Sequence, residues 1–455
     1  MSIWTNVTEA VIEKLNREGA AMSEREFFEN EIALWKKDDR RRDMIDGERY
    51  FKGEHDILKR ERTAIGRDGK LKKIENLPNN TIVDNQYQRM VNQKVNYLLG
   101  REAVIDGENE AYISILKKNL GRDFQRIMKC MLRDAVNMGL GWLYLYTDEK
   151  EMLRFKRIPA YEMIAYWKDS EHTELEKALR LYTVEGYKGK EYCVREMVEV
   201  YSKGKVETFE VDDGVLCKVG ESGYFTREEI PLIAFKYNEK EMPLITRVKS
   251  LQDALNRTLS DFENNMQEDA RNTILVLQNY DGTDLGEFRQ NLATYGAVKV
   301  KTVDGAPGDI KTLNTQFDSE NYAVMVNLLK SAIVENAMGY DAKSDKLGNN
   351  PNQLVMKAMF SDIDLDMSEA EIEFGYAFHR VCEIVNEYME IYGYGYFEGE
   401  RADIIFNRDC LVNESEAIDN CIKSREVLSE ETVLLMHPWV KDAKKEMAKK
   451  ENLDE

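Results

Sequence analysis

Four carboxylates share one side of a helical pattern late in this chain: Asp362, Asp366, Glu369 and Glu373, at steps of four, three and four. Carboxylates so paired can hold a divalent cation or trade protons as acid and base. No histidine or third ligand type lies close by in the pattern, so the face reads as one that pairs with a neighbouring element or lies in solvent. His55, His172, His379 and His437 are isolated from one another. Cys130, Cys193, Cys217, Cys382, Cys410 and Cys421 are scattered, with no Cys-x-x-Cys or His-Glu-x-x-His spacing. Reduced thiols packed as small hydrophobes are expected, and no metal site. The Gly-Lys pairs at 69–70, 189–190 and 204–205 are followed by Leu, Glu and Val, so none completes a phosphate cradle. Gly-x-Ser-x-Gly is absent, and the glycines at 393, 395 and 399 follow a helical pattern and read as a turn. No catalytic residue and no cofactor is expected.

Two polar stretches remain. "YDAKSDKLGNNPNQ" has Lys343 and Lys346 among Asn349, Asn350 and Asn352; composition alone favours an ordinary solvent loop, though its sparse positive charge could brush a phosphate backbone without gripping it. "NQYQRMVNQKVNYLLGRE" has an apolar face at Tyr87, Val91, Val95 and Leu98 and a stripe of amides at Gln88, Asn92 and Asn96. Gly100 is placed to cap it.

The elements that position these residues follow from periodicity. The chain has 455 residues, 43% hydrophobic and 33% charged, with seven prolines, which favours a folded protein with long uninterrupted helices. No stretch reaches the ~18 apolar residues of a membrane span, and the N-terminus lacks the layout of a signal peptide. Helices are expected to about residue 62, including a charge-dense one over "EIALWKKDDRRRDMIDGERYFKG". "IGRDGKLKK" and "ENLPNNTIVDNQ" read as loops. Short runs such as "WLYLYTD", "KALRLYTVE" and "PLIAFKYN" between 142 and 238 predict antiparallel strands. Leu244, Val248, Leu251, Leu255, Leu259, Phe262 and Met266 then trace a narrow helical seam. A small β segment, "TILVLQNYDG" with "YGAVKVKTVDG", separates it from a second helix capped at Gly339. The longest helical pattern follows, over about 353–391, with Phe374, Phe378, Val381, Val385 and Tyr388 on its apolar side. "RADIIFNRD" reads as a lone strand, and three short helices close the chain. The fold class is α+β, predominantly helical.

The order of these parts resembles the portal proteins of tailed bacteriophages. "NNTIVDNQYQRMVNQKVNYLLGRE" is similar to the family's Asn-rich helix, "IPLIAFKYNEKEMPLITRVKSLQDALNRTLSDFENNM" to its strand and stem helix, "NNPNQLVMKAMFSDIDLDMSEAEIEFGYAFHRV" to its tunnel loop and helix, and "LSEETVLLMHPWVKDAKKEM" to its crown. The resemblance implies a dodecameric ring without catalytic activity, with a wing at 1–243, stem helices at 244–270 and 317–338, and a clip at 271–316. It further implies a tunnel loop at 339–352, a tunnel helix at 353–392, a strand returning to the wing within 393–412 and a crown at 413–455. Lys343, Lys346, Asn349, Asn350 and Asn352 would face DNA, and Gln88, Asn92, Asn96, Leu251, Leu255 and Phe262 would contact other subunits. The implied partners are double-stranded DNA, a terminase motor, a head-completion adaptor, and capsid and scaffolding proteins, in a virion assembled in a bacterial cytoplasm, with no membrane.

The net charge of −20 fits that expectation. A protein that grips DNA clusters Lys and Arg on its phosphates, whereas an acidic surface repels a duplex and lets it slide. A helical scaffold that never meets DNA would suit the stem seam equally. It would not account for a β insertion between two helices followed by a polar loop and a very long helix. An ATP-driven packaging enzyme is disfavoured by the missing phosphate cradle.

Overall fold

The computed structural model describes residues 23–65, 70–73, 78–224, 229–271, 274–278, 309–313, 319–341, 353–397, 399–408 and 414–440, with isolated positions at 284–302 and 443–447. The chain forms two compact units. One comprises residues 1–53, 87–249 and 334–455; the other comprises 54–86 and 250–333. Residues 54–86 therefore cluster with 250–333, the segment that holds most of the helix seam and the β insertion.

In the larger unit the charge-dense segment is two helices, α1 (Glu24–Trp35) and α2 (Asp39–Phe51). The break has a local cause. Asp38 takes an extended conformation and accepts the Arg40 N–H, capping α2, while Ser23 and Glu26 form a reciprocal capping box on α1. Then come α3 (Gln86–Leu99), β3 (Val104–Asp106), α4 (Glu110–Leu120) and α5 (Phe124–Met138). The β-rich segment is antiparallel throughout. β12 (Leu232–Lys236), β4 (Leu140–Thr147) and β5 (Leu153–Ile158) make one sheet. β10 (Val215–Lys218), β9 (Lys205–Asp212), β8 (Glu191–Ser202), β7 (Leu175–Lys188) and β6 (Met163–Trp167) make another, with β11 (Gly223–Tyr224) beside β9. Alternation along β7 explains its two cores. Leu179 and Leu181 pack with Phe28 and Ile32 of α1, whereas Ala178 faces Trp142, Met163 and Tyr201.

The chain passes from β12 through a tight connector into α6 (Ile245–Arg271). Gly139 (φ 83°) ends α5 against this connector, and a Cβ there would stand 2.0 Å from the Glu241 carbonyl oxygen. Gly139→Ala is therefore expected to cost several kcal/mol, since it adds left-handed strain to a backbone clash. Chemical denaturation measures it, and a midpoint within error of wild type would show that the connector yields.

α8 (Gln353–Ile391) crosses this unit with its predicted seam in place: Phe374, Phe378, Val381, Val385 and Tyr388 are all buried. "RADIIFNRD" does not stand alone, nor does it join a large sheet. β15 (Asp403–Ile405) pairs with β3 in a separate two-stranded ladder. Helices α9 (Glu414–Ser424) and α10 (Glu430–Met436) follow; most of the third expected piece lies outside the described residues.

In the smaller unit, β1 (Thr63–Ile65) and β2 (Leu71–Lys73) pair across the segment read as a loop. β13 (Ile274–Gln278) pairs with β14 (Asp309–Leu313); most of "YGAVKVKTVDG" lies outside the described residues. α7 (Ser319–Asn336) is the second helix of the predicted pair. Its cap differs from expectation. Met338, not Gly339, is left-handed (φ 49°), with the Gly339 N–H bonded to Val334 O and the Met338 N–H to Glu335 O, the two bonds of a Schellman motif. Gly339 is there for room, because a Cβ would stand 2.7 Å from Met90 Sδ. Gly100 likewise follows the end of α3 without a left-handed φ.

Candidate functional site

The acidic side of α8 divides once its surroundings are known. Asp362 is exposed. Glu369 accepts the Glu239 N–H at 2.9 Å. Glu373 is half-buried, and burial raises its carboxyl above the usual range while Lys236 acts to lower it. Asp366 is buried at the centre of an ionic hub. Lys94 Nζ donates to its Oδ2 at 2.6 Å, Arg247 Nη1 to its Oδ1 at 2.6 Å, and the Tyr237 hydroxyl to Oδ2. Lys94, on α3 and fully buried, donates also to the Met338 carbonyl at 3.2 Å. One carboxylate thus joins α3, the end of β12, the first turn of α6 and α8, and through Lys94 it reaches the chain just past α7.

Burial acts differently on the two members of the pair. At Lys94 it prevails over the attraction of Asp366 and pulls the ammonium down to about 8. At Asp366 burial alone would raise the carboxyl, but Lys94, Tyr237 and Arg247 together hold it below the usual range. The Tyr237 phenol is raised by burial and by the adjoining carboxylate, so it stays a donor. The lysine's folded value lies below its unfolded 10.5, so the unfolded chain binds the extra proton between pH 8 and 10.5. The cost of burying charged Lys94 is full below pH 8 and fades as pH rises. Between pH 7.5 and 9.5 wild type is expected to gain up to roughly 2 kcal/mol relative to Lys94→Met, within the 1.4 kcal/mol per pH unit that one proton permits. Urea midpoints across that range test it, and a pH-independent difference would show that Lys94 keeps its proton.

A second cluster grips the same helix. Asp364 accepts from the Tyr97 hydroxyl at 2.6 Å and from Arg408, which also reaches Ser368 Oγ at 3.0 Å and Glu371 at 2.5 Å. Between the clusters Gln93 holds Tyr340 by both main-chain groups, donating to its carbonyl at 2.7 Å and accepting its N–H at 3.1 Å.

The smaller unit has a polar stripe of its own. Gln252, Asn256, Ser260 and Asn264, four apart on α6, are buried. They bond the main chain of residues 80–84: Asn264 Oδ1, Ser260 Oγ and Asn256 Oδ1 accept the N–H groups of Asn80, Ile82 and Asp84 at 2.7, 2.9 and 3.1 Å. Gln252 donates to the Asp84 carbonyl at 2.7 Å, and the Asn256 amide meets His55 Nδ1 at 2.7 Å. Four helical residues rise ~6.0 Å and two extended residues ~6.6–6.8 Å, close enough for three successive rungs. The segment read as a loop is thus an extended strap on a polar helix face.

The expected contact residues distribute unevenly. Tyr87, Val91, Val95 and Leu98 are buried as expected. Gln88 and Asn96 are exposed and Asn92 is half-buried. Leu251 is half-buried, whereas Leu255 is wholly buried and Phe262 packs against Tyr322 with centroids 4.8 Å apart and ring planes tilted by 46°. Leu255 therefore has no surface left for a second copy. Lys343, Lys346, Asn349, Asn350 and Asn352 lie outside the described residues. Sequence reasoning missed Lys94, Tyr237, Arg247 and the α6 stripe. The four-residue spacing from Gln252 to Asn264 was the available signal, masked by the apolar seam on the same helix.

A structural chain whose buried charges and amides tie its own helices together is the class this arrangement defines. The family model described as Phage portal protein, SPP1 Gp6-like, matches residues 33–455, and the chain belongs to that family. The portal protein of Clostridium phage phiCD119 is 24% identical over 433 residues, 91% of this chain and 93% of that one. The portal protein of Bacillus phage SPP1 is 24% identical over 424 residues, 89% and 82% of the respective chains. Chains from the virion and from the C12-symmetric neck of a native gene transfer agent particle match with TM-scores of 0.42 and 0.39 at 11% identity, each covering 77% of this chain and 89% of that one.

Proposed function

We propose that this portal protein closes into a homododecameric ring at one capsid vertex, through which double-stranded DNA enters and leaves without sequence readout. In this reading α6 and α7 are the stem, the β13–β14 region the clip, α8 the tunnel helix, residues 339–352 the tunnel loop and residues 413–455 the crown. The wing is 1–243, and the chain of 393–412 returns to it. A terminase motor and a head-completion adaptor dock on the ring, and capsid and scaffolding proteins surround it in the host cytoplasm where it assembles. Lys343 and Lys346 face the duplex in a channel whose twelve copies carry about −240 formal charges, so the duplex is steered but not gripped.

The observation that carries the ring is the outward side of α7. Val324, Met325 and Leu328 are 66%, 48% and 62% exposed, and the only charged residues of that helix are Glu320, Lys330 and Glu335. Leu365 and Ile372 of α8 are likewise 67% and 73% exposed. Apolar side chains in such series mark a surface that another protein covers, and in a closed ring that protein is the next copy. Light scattering with negative-stain images is expected to show particles near twelve times 52.9 kDa with a central hole of about 20 Å or more, roughly the length of a 13-residue helix. Val324→Asp with Leu328→Asp should leave the circular dichroism unchanged and shift the mass to the monomer. A dimer or tetramer without a hole would overturn the ring.

A further inference from the structure

The β7–β8 hairpin outruns the sheet that carries it. β6 pairs with β7 only at 175–180, and β9 pairs with β8 only at 196–202. Residues 184–188 and 191–195 therefore pair only with each other among the described residues. A two-stranded ribbon is marginal in water and leaves both edges open. Its tyrosine-bearing face is mostly apolar: Tyr187, Tyr192 and Val194 are 75%, 56% and 55% exposed, with Glu185 accepting from the Tyr192 hydroxyl at 2.6 Å, while Val184 lies on the opposite face. Tyr187 and Tyr192 stand directly opposite each other, edge to face at 5.7 Å. In the turn, Lys190 is exposed and has no carboxylate partner among the described residues.

An aromatic pair with a lone cation complements an apolar spot beside an unneutralised carboxylate. One face of the β3–β15 ladder has that composition. Val104 and Ile405 are opposite each other and 46% and 47% exposed. Two residues along, Asp106 and Asp403 are also opposite and exposed, a like-charge pair that destabilises a ladder. His379 Nε2 lies 2.7 Å from Asp403, while Asp106 has no ion-pair partner among the described residues.

We propose that the β7–β8 arm of one copy docks on the β3–β15 face of another, with Tyr187 and Tyr192 over Val104 and Ile405 and Lys190 facing Asp106. Two different patches of one chain meeting is the head-to-tail contact from which rings close, and the inference rests on the ring reading to that extent. It is tested on the purified full-length protein with a photo-cross-linking benzophenone side chain in place of Tyr187. Inter-chain cross-links mapping to 104–106 or 403–405 are expected. Lys190→Glu should lower their yield about tenfold, and adding Asp106→Lys should restore it, because juxtaposing like charges costs at least the 1.4 kcal/mol that such a ratio represents. Ring-sized particles without those cross-links, or with cross-links elsewhere, would overturn the docking and leave the ring standing. A protein monomeric by light scattering would remove both. All these side chains are exposed in the chain, so unchanged thermal melts separate lost docking from lost folding.

Discussion

Asp366→Ala is expected to remove roughly 3–5 kcal/mol of stability, the cost of leaving one partner of a buried ion pair without its counter-charge. The ammonium of Lys94 would be stranded in a fully buried site with only the Met338 carbonyl, and the Tyr237 hydroxyl would lose its acceptor. Arg247 would suffer less, since its side chain is 29% exposed. The double substitution Lys94→Met with Asp366→Leu should recover much of the loss, because an apolar pair of similar volume avoids desolvating charge. Urea denaturation of wild type, Lys94→Met, Asp366→Leu and the double substitution decides the matter. Additive losses would mean that Lys94 and Asp366 do not act as a pair. Acid adds a check of fixed sign. The folded carboxyl lies below its unfolded value, so its contribution is present above the ordinary aspartate range and is lost as pH falls through the folded value.

The second large effect belongs to the polar stripe of α6. Asn256→Leu would leave the Asp84 N–H facing a side chain that cannot bond it, and would remove the contacts to His55 Nδ1 and Gln252 Nε2. A buried group so orphaned costs about 1–3 kcal/mol, and with the contacts to His55 and Gln252 also lost the total is expected to exceed that of Ser260→Ala, which takes the acceptor from the Ile82 N–H and a donor from the Asn256 carbonyl. Hydrogen exchange reads the change at its source: amides at 80, 82 and 84 should lose protection in Asn256→Leu. Unchanged protection there would mean that the strap is held by something other than the stripe.

What the sequence disclosed is what periodicity encodes. The seam of α8, the dry face of α3, the antiparallel strands and the helix pair around a β insertion all follow from apolar spacing, and all appear. Partnership was hidden. Nothing local to Lys94 announces an aspartate 272 residues away; its place on the apolar face of α3, between Val91 and Leu98, was the one hint, since an unpaired lysine is almost never buried. The amide stripe on α3 drew attention while the one on α6 remained unread, because Leu251, Leu255 and Leu259 made α6 look like a coiled-coil strand. "ENLPNNTIVDNQ" resembled a loop because its bonds go to side chains, not to another strand. The chain's break into two units at 53/54 and 86/87 was illegible for the same reason: it depends on contacts between segments far apart in sequence.

The strap has a consequence for how this protein can vary over time. α6 holds residues 80, 82 and 84 by their peptide groups, so the contact is blind to which side chains those residues carry. As far as this contact goes, substitutions at Asn80 or Ile82 should be tolerated among lineages, while Asn256, Ser260 and Asn264 stay fixed, and the two sides would show no correlated change. Proline is the exception, since it alone lacks the N–H that each rung requires. A search for paired variation would pass over this contact, yet a single proline in the strap would break it.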